Sequence, residues 1–160
     1  MITLDTIRKP VTAELEAFDG FVDRQFTAEG ELLADMLRYA LSSRGKGIRP
    51  LLVMLSAAMN SPVEGAAKGR RVHLAAMLVE MIHVASLIHD DVIDESDTRR
   101  GRPSANARWQ SHKAVILGDF ILARNMNIGL SSGVVRGRGV AERVCREAHH
   151  DAPGVPRHYL

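Results

Sequence analysis

The most constraining feature of the sequence is a long apolar stretch in its middle, residues 74–88, which runs directly into a cluster of acidic side chains. The stretch is apolar nearly all round a helix, which is typical of a helix buried inside a bundle. We therefore predict one long helix from about Ala66 to Asp97. Such a helix must be covered by other helices of the chain.

The other helices are predicted from the spacing of apolar residues and from residues that start or stop helices. Pro10 fits a first helical position, with the helix running to about Phe26. Apolar residues three and four apart predict a second helix that stops at residues 42–45. Pro50 opens a third helix, and a fifth covers about 113–130. Residues 98–106 are predicted to form a loop, no segment has the strand period, and the fold class is therefore all-α.

Composition narrows the function classes. The chain has 160 residues, of which 46% are hydrophobic and 25% charged, enough for one core. A net charge of +2 gives no global field for nucleic acid, so no nucleic-acid partner is expected. The apolar run is too short to cross a bilayer, which predicts no transmembrane segment. The N-terminus lacks a secretory signal and Cys145 is a single cysteine, so a cytoplasmic location is expected.

The last 30 residues differ in kind from the rest. From residue 131 the sequence becomes rich in Gly, Arg, His and Pro, without a sustained apolar period. Residues 1–130 carry equal numbers of basic and acidic side chains, so the excess positive charge lies after them. We predict a boundary near Gly133, with one helical domain at 1–130 and a divergent tail at 131–160 that is frameshifted, truncated or disordered.

The acidic cluster predicts a metal site. Asp90 and Asp94 are four residues apart, so their carboxylates share one helix face. Like charges repel there, and the last turn of a helix is unfavourable for anions. Hard carboxylate oxygens suit Mg²⁺, which takes one or two protein carboxylates and fills its shell with water and phosphate oxygens. Acid runs near helix ends are usually solvated surface, but the setting after an apolar helix favours a Mg²⁺ site at Asp90, Asp91 and Asp94.

Two basic clusters predict an anionic ligand. Arg99 and Arg100 follow the acidic residues, and guanidinium groups beside metal-binding carboxylates favour a polyanion that bridges the two. In residues 44–50, Lys46 and Arg49 stand among glycines just before a predicted helix start, where free N–H groups favour anions. A Gly and Lys loop before a helix is common, and the segment lacks the P-loop spacing, so it is weak evidence alone.

Together these motifs resemble the trans-isoprenyl diphosphate synthases, the polyprenyl synthetase family. The family's first aspartate-rich motif, D-D-x-x-D followed by R-R-G, is matched by Asp90, Asp91, Asp94, Arg99, Arg100 and Gly101. Its upstream G-G-K-R-x-R-P signature is partly matched by Gly45, Lys46, Arg49 and Pro50, with Arg44 and Gly47 where the family has Gly and Arg. His83 and the pair Gly118-Asp119 match two further family segments. The likeness covers about residues 30–130.

The resemblance implies part of an isoprenoid-synthase-type helical bundle and a prenyl transfer. Isopentenyl diphosphate would condense with an allylic diphosphate to a polyprenyl diphosphate, with Mg²⁺ as cofactor. It implies catalytic roles for Asp90, Asp94 and Arg99, the last on the allylic diphosphate. It also implies that isopentenyl diphosphate is held by Lys46, Arg49, His83 and Arg100. A homodimer is implied for the full-length family.

Product length is predicted from the helix face below Asp90. Ser86 and Ile82 lie one and two turns before it, with Ala85 and Met81 in the adjacent row, and these four are expected to form a chain-length wall. Ala85 and Ser86 are small, which in the resembled family accompanies longer products. We therefore predict a medium or long prenyl chain.

Other interpretations stay open. The family carries a second aspartate-rich motif, which is not found after Asp119, and its members are roughly double this length. Little or no turnover is therefore expected of this chain alone, and a non-catalytic helical partner subunit or fragment is the alternative. His89-Asp90 could begin an HD-type phosphohydrolase, and Glu80-x-x-His83 has the spacing of di-iron bundles. Both are weaker because further ligands are not at persuasive positions.

Overall fold

The part of the chain that the structure describes forms a bundle of helices with a short hairpin. The computed structural model describes residues 3–42, 45–60 and 69–134. In that part, the helices are α1 Leu4–Arg8, α2 Thr12–Gln25, α3 Glu31–Ser42, α4 Ile48–Met59, α5 Arg70–Ile93, α6 Ala105–Trp109 and α7 Ser111–Ser131. A 3-10 turn, Lys9–Val11, joins α1 to α2, and strands β1 Thr98–Arg99 and β2 Arg102–Pro103 pair antiparallel. The predicted all-α class is confirmed.

Helix α5 is the centre of the core. Its side chains Leu74, Met77 and Met81 are almost wholly buried. Helix α7 packs along it and contributes Leu117 and Ile121, which are fully buried, and α4 packs on another side. Burying a large apolar side chain contributes about 1.5–3 kcal/mol to stability. The helix that the sequence predicted as buried therefore does hold the bundle together.

Helix α5 ends earlier than predicted. The backbone N–H of Asp94 donates to the carbonyl of Asp90 over 2.8 Å, and Asp94 caps the helix. Glu95 follows with a φ of 50°, a left-handed conformation that stops helix propagation. The predicted extension to Asp97 is therefore wrong by about one turn, and the predicted start near Ala66 lies outside the described residues.

The length of α5 also changes one argument about membranes. The helix has 24 residues, so it is long and apolar enough to span a bilayer. The apolar run 74–88, on which the prediction of no transmembrane segment was based, is shorter than the helix that contains it. Half of its most apolar stretch is buried among other helices, however. Such burial is typical of the core helix of a bundle, and this is how α5 is used here.

The predicted loop 98–106 contains a hairpin instead. Arg100 and Gly101 both have positive φ, as a type I′ turn requires. The Tyr39 hydroxyl of α3 donates to the carbonyl of Pro103 over 2.7 Å, and the Arg102 guanidinium stacks on the Tyr39 ring. Strands of two residues are too short to show a period of two in the sequence. The hairpin is thus stabilised by contacts with α3, and the local sequence pattern does not predict such contacts.

Helices α5 and α7 are among the helices that keep large apolar side chains exposed. On α5 the row comprises Val79, Ile82 and Ile93, and on α7 it comprises Ile116, Met126 and Leu130. We call these two rows the exposed apolar rows. Scattered apolar side chains are normal on protein surfaces, but aligned rows on two adjacent helices favour contact with a further apolar surface.

Candidate functional site

The acidic motif at the end of α5 divides into two exposed carboxylates and one buried carboxylate. Asp90 and Asp94 are exposed, whereas the Asp91 side chain is 3% exposed. Arg99 Nε donates to both oxygens of Asp91 over 2.8 Å, and a terminal nitrogen of Arg99 lies 2.7 Å from Oδ1. The hydrogen bond to Asp91 raises the pKa of Arg99. Asp91 therefore holds Arg99 in place, while Asp90 and Asp94 face outward.

The donor set fits a cation that needs few protein ligands. Among residues 3–42, 45–60 and 69–134, no three His, Cys, Asp or Glu side chains converge as a ready metal site. Asp90 and Asp94 offer hard oxygen donors one helical turn apart, which suits Mg²⁺ because it completes its shell with water and phosphate oxygens. The same result gives no support to a di-iron centre in the described part of the chain.

Basic side chains from three segments converge on His83. Its pKa is lowered first by burial and then by the positive charge of Arg49, with smaller contributions from Arg100 and Arg99, while Glu80 opposes them. Arg49 comes from α4, His83 from α5, and the two arginines from the hairpin. The fold thus brings together four of the residues that were predicted to bind diphosphates.

The hairpin and the loop before α4 touch through a glycine. The Arg100 guanidinium lies against Gly45 so closely that a Cβ at this position would overlap it. A side chain at this position would therefore displace the Arg100 guanidinium from its present place. A cavity of about 50 Å³ lies beside this contact, with His83, Asp91 and Arg99 in its lining.

Lys46 lines an adjoining cavity rather than this one. That cavity, of about 690 Å³, is open, and Lys46, Gly45 and Glu80 belong to its lining. The Arg8 guanidinium donates to the Lys46 carbonyl and thereby ties the loop to α1. Lys46 itself is exposed. Lys46 thus lies beside the basic group without being buried in it.

Helix α4 begins two residues earlier than predicted. Gly47, with a φ of 60°, precedes the first helical residue Ile48, and Pro50 occupies the third helical position. The left-handed conformation of Gly47 sets the helix start, whereas Pro50 only tolerates the first turn. The first turn has no side-chain cap, so its N–H groups point toward the loop that carries Lys46.

The four predicted wall residues fall into two environments. Ile82 and Ser86 are exposed on the side of α5 that carries Asp90. Ala85 and Met81 are 0% exposed and belong to the core. Ser86 and Ile82 can therefore contact a hydrocarbon chain directly. Ala85 and Met81 cannot contact it, and affect it only through their packing beneath the exposed residues. The wall stays a prediction.

Two contacts of this region were missed by the sequence. His89 Nε2 lies 3.3 Å from the carbonyl of Val115 and 3.4 Å from Asp119 Oδ1, and its ring packs against Gly118. The pair Gly118-Asp119 thus serves α5–α7 packing, and His89 is turned toward α7 rather than toward an HD-type metal centre. Glu80 is buried, and its Oε2 has no hydrogen-bond partner among the described residues. In the sequence it is marked by a charge inside an apolar helix and by the Glu80-x-x-His83 spacing.

Comparison with known proteins identifies the family of this chain. A sequence profile described as Polyprenyl synthetase matches residues 30–150. The chain belongs to the polyprenyl synthetase family. It is 35% identical over 122 residues to the all-trans-nonaprenyl-diphosphate synthase (geranyl-diphosphate specific) of Rhodobacter capsulatus, covering 76% of this chain and 36% of that one. It is 39% identical over 113 residues to the nonaprenyl diphosphate synthase of Mycobacterium tuberculosis, covering 71% and 32%.

Solved structures of similar fold belong to the same kind of protein. The heptaprenyl diphosphate synthase of Staphylococcus aureus superposes with a TM-score of 0.71 at 28% identity, covering 84% of this chain and 41% of that one. This polyprenyl synthetase chain thus spans about a third of the length of the two curated relatives. The profile match continues past the predicted boundary near Gly133. Residues 135–160 lie outside the described residues, so the divergent tail stays a prediction.

Proposed function

We propose that this polyprenyl synthetase chain carries the diphosphate-binding part of a prenyl-transfer site, which condenses isopentenyl diphosphate with an allylic diphosphate. The observation that carries the proposal is the convergence of His83, Arg99 and Arg100 on one cavity next to two exposed carboxylates. A diphosphate suits both the basic side chains and the two carboxylates. Its oxygens pair with guanidinium groups, and they also complete the coordination shell of a divalent cation held by the carboxylates.

Mg²⁺ is the proposed cofactor, with Asp90 and Asp94 as its protein ligands. When bound, it supplies neutralisation of the negative charge that develops on the leaving diphosphate. Asp91 belonged to the predicted ligand set, but both of its oxygens accept from Arg99. We therefore assign to Asp91 the task of holding the Arg99 guanidinium beside the allylic diphosphate.

The other basic residues are proposed to hold isopentenyl diphosphate. Arg49 and Arg100 supply positive charge, and Lys46 reaches in from the adjoining cavity. Because its pKa is lowered, His83 is neutral near pH 7 and binds a phosphate oxygen as an N–H donor rather than as a cation. A bound diphosphate would raise the pKa of His83 again, because its negative charge favours the protonated ring.

The product is proposed to be a medium or long prenyl chain. The relatives described above are named for heptaprenyl and nonaprenyl products. On this chain, Ser86 stands one turn before Asp90, exposed and small, with Ile82 a further turn along. A small side chain at the first turn leaves space for a hydrocarbon to pass along α5, as a longer product requires.

A second candidate is a non-catalytic helical subunit. It is favoured by the exposed apolar rows of α5 and α7. In this reading, the rows pack against helices of another polyprenyl synthetase chain. A homodimer and a cytoplasmic location stay predictions for either candidate.

Calorimetry with an allylic diphosphate, with and without Mg²⁺, tests the proposal. We expect Mg²⁺-dependent binding by the wild type and its loss in the double variant Asp90→Asn, Asp94→Asn. Glu95→Gln is the matched control, because it removes an adjacent exposed carboxylate that has no proposed role. No binding by a folded wild type, or unchanged binding by the double variant, would contradict the site.

A turnover assay separates the two candidates. The protein is incubated with labelled isopentenyl diphosphate, an allylic primer and Mg²⁺, and prenyl products are extracted and counted. If the site is catalytic, we expect labelled prenyl product, and if the chain is a silent subunit, we expect diphosphate binding without product. Sustained product formation would exclude the silent-subunit reading.

A further inference from the structure

Glu80 is a buried carboxylate that the proposed function does not use. It lies at the middle of α5, is 4% exposed, and its Oε2 has no hydrogen-bond partner within the described part of the chain. A charged acceptor that is buried without a donor is unfavourable. A group that donates to this oxygen during function would remove that cost.

Glu80 lies between the two cavities of the site. It lines the smaller cavity with His83 and Arg100, and it lines the larger cavity with Lys46. Gly45 also lines both cavities, so the loop that carries Lys46 borders the same space as Glu80. The unpartnered oxygen is thus placed where the loop and the basic cluster meet.

A carboxylate at this position presents an electrostatic problem. Its charge is felt at His83, where it opposes the effect of Arg49 and Arg100. It would therefore repel a diphosphate bound among the same side chains unless a cation neutralised it. Arg99 is already paired with Asp91. Lys46 is exposed and carries its ammonium on a long flexible stem, in the cavity that reaches Glu80.

We propose that Lys46 bridges Glu80 and the bound diphosphate. Its ammonium has three donors, so it donates one hydrogen bond to Glu80 Oε2 and another to a phosphate oxygen. Glu80 is then a positioning residue, which draws residues 45–47 over the anion without touching it. This inference rests on the proposed function, because it presumes that a diphosphate binds there.

The sign of one effect separates this role from simple electrostatics. If Glu80 only repelled the anion, Glu80→Gln would bind pyrophosphate more tightly. If Glu80 positions Lys46, Glu80→Gln binds about tenfold more weakly, which corresponds to one charge-assisted hydrogen bond. Lys46→Met should weaken binding as well. In the Lys46→Met background, Glu80→Gln should cause no further loss, since the bridge is already gone.

The experiment is calorimetry of the whole chain with inorganic pyrophosphate, in buffer free of divalent cations so that Asp90 and Asp94 add nothing. Glu14→Gln is the matched control: Glu14 is also buried, at 7% exposed, but lies on α2 and lines neither cavity. Its affinity should equal that of the wild type. If Glu80→Gln does not fold, as judged by circular dichroism, Glu80→Asp replaces it, since withdrawing the carboxylate by one methylene should weaken binding in the same way.

The outcomes distinguish the two proposals. A folded wild type that binds no pyrophosphate overturns the basic half of the proposed function, and this inference with it. A wild type that binds, together with equal or tighter binding by the Glu80 variant, overturns the bridge alone. Additive losses for the Glu80 and Lys46 variants also overturn it, because they show that the two side chains act independently.

Discussion

Replacing Asp91 by Asn tests whether the ion pair with Arg99 anchors the hairpin. The carboxylate makes contacts of 2.7 and 2.8 Å with Arg99 and is 3% exposed, while the Arg99 side chain is 32% exposed. Breaking a fully buried pair costs about 3–5 kcal/mol. Water can reach part of the freed guanidinium, so we expect a loss of about 2–3 kcal/mol in the free energy of unfolding.

Urea denaturation followed by circular dichroism measures this loss. With a slope of about 2 kcal/mol per M, typical of small domains, the midpoint should fall by about 1–1.5 M. The matched control is Asp94→Asn, which removes an exposed carboxylate of the same motif. Its stability should stay within about 0.5 kcal/mol of the wild type or rise slightly, because repulsion with Asp90 is relieved. Equal effects of the two variants would refute the anchoring role of Asp91.

Three further predictions concern packing, charge and product length. Gly118→Ala should destabilise by about 1 kcal/mol in urea denaturation despite the better helix propensity of Ala, because its Cβ overlaps the His89 ring. In the His89→Ala background the same change should stabilise, and a gain in the wild-type background would contradict the contact. The pKa of His83 should lie below its ordinary 6.5 in an NMR titration and rise in Arg49→Met. The pKa of His83 is lower in the folded state than in the unfolded state, so the stability contributed by His83 is complete above pH 6.5. This stability is lost as the pH falls through the folded-state pKa. A free energy of unfolding that does not change with pH in that window would contradict the lowered pKa. In a preparation that elongates prenyl chains, Ser86→Phe should shorten the extracted products, and unchanged lengths would reject the wall.

The helices could be predicted because their signals are local. Helix α5 is apolar on all sides at its centre, so its burial follows from the sequence alone. The predicted start of α4 was wrong because proline is a recognisable helix-start residue in a sequence, whereas the left-handed conformation of Gly47, which sets the boundary, is not visible there. The hairpin escaped notice because its two-residue strands depend on contacts with Tyr39 of α3.

The site was predictable to a similar depth. The spacing of Asp90 and Asp94 places both on one face, which is a local property of a helix. The pairing of Asp91 with Arg99 is not local, since it requires the chain to turn back after α5. For the same reason, nothing in the sequence indicates that Glu80 lies beside the loop that carries Lys46.

The hairpin turn gives two adjacent residues opposite tasks. Arg99 is fastened to α5 through Asp91, while Arg100, in the left-handed position of the turn, reaches across to Gly45. Neighbouring Cα atoms are about 3.8 Å apart, so a single peptide unit sets the distance between the two guanidinium attachment points. Under the proposed function, one arginine for each substrate head group is therefore attached to the backbone at a fixed spacing, which motion of the helices against one another does not change.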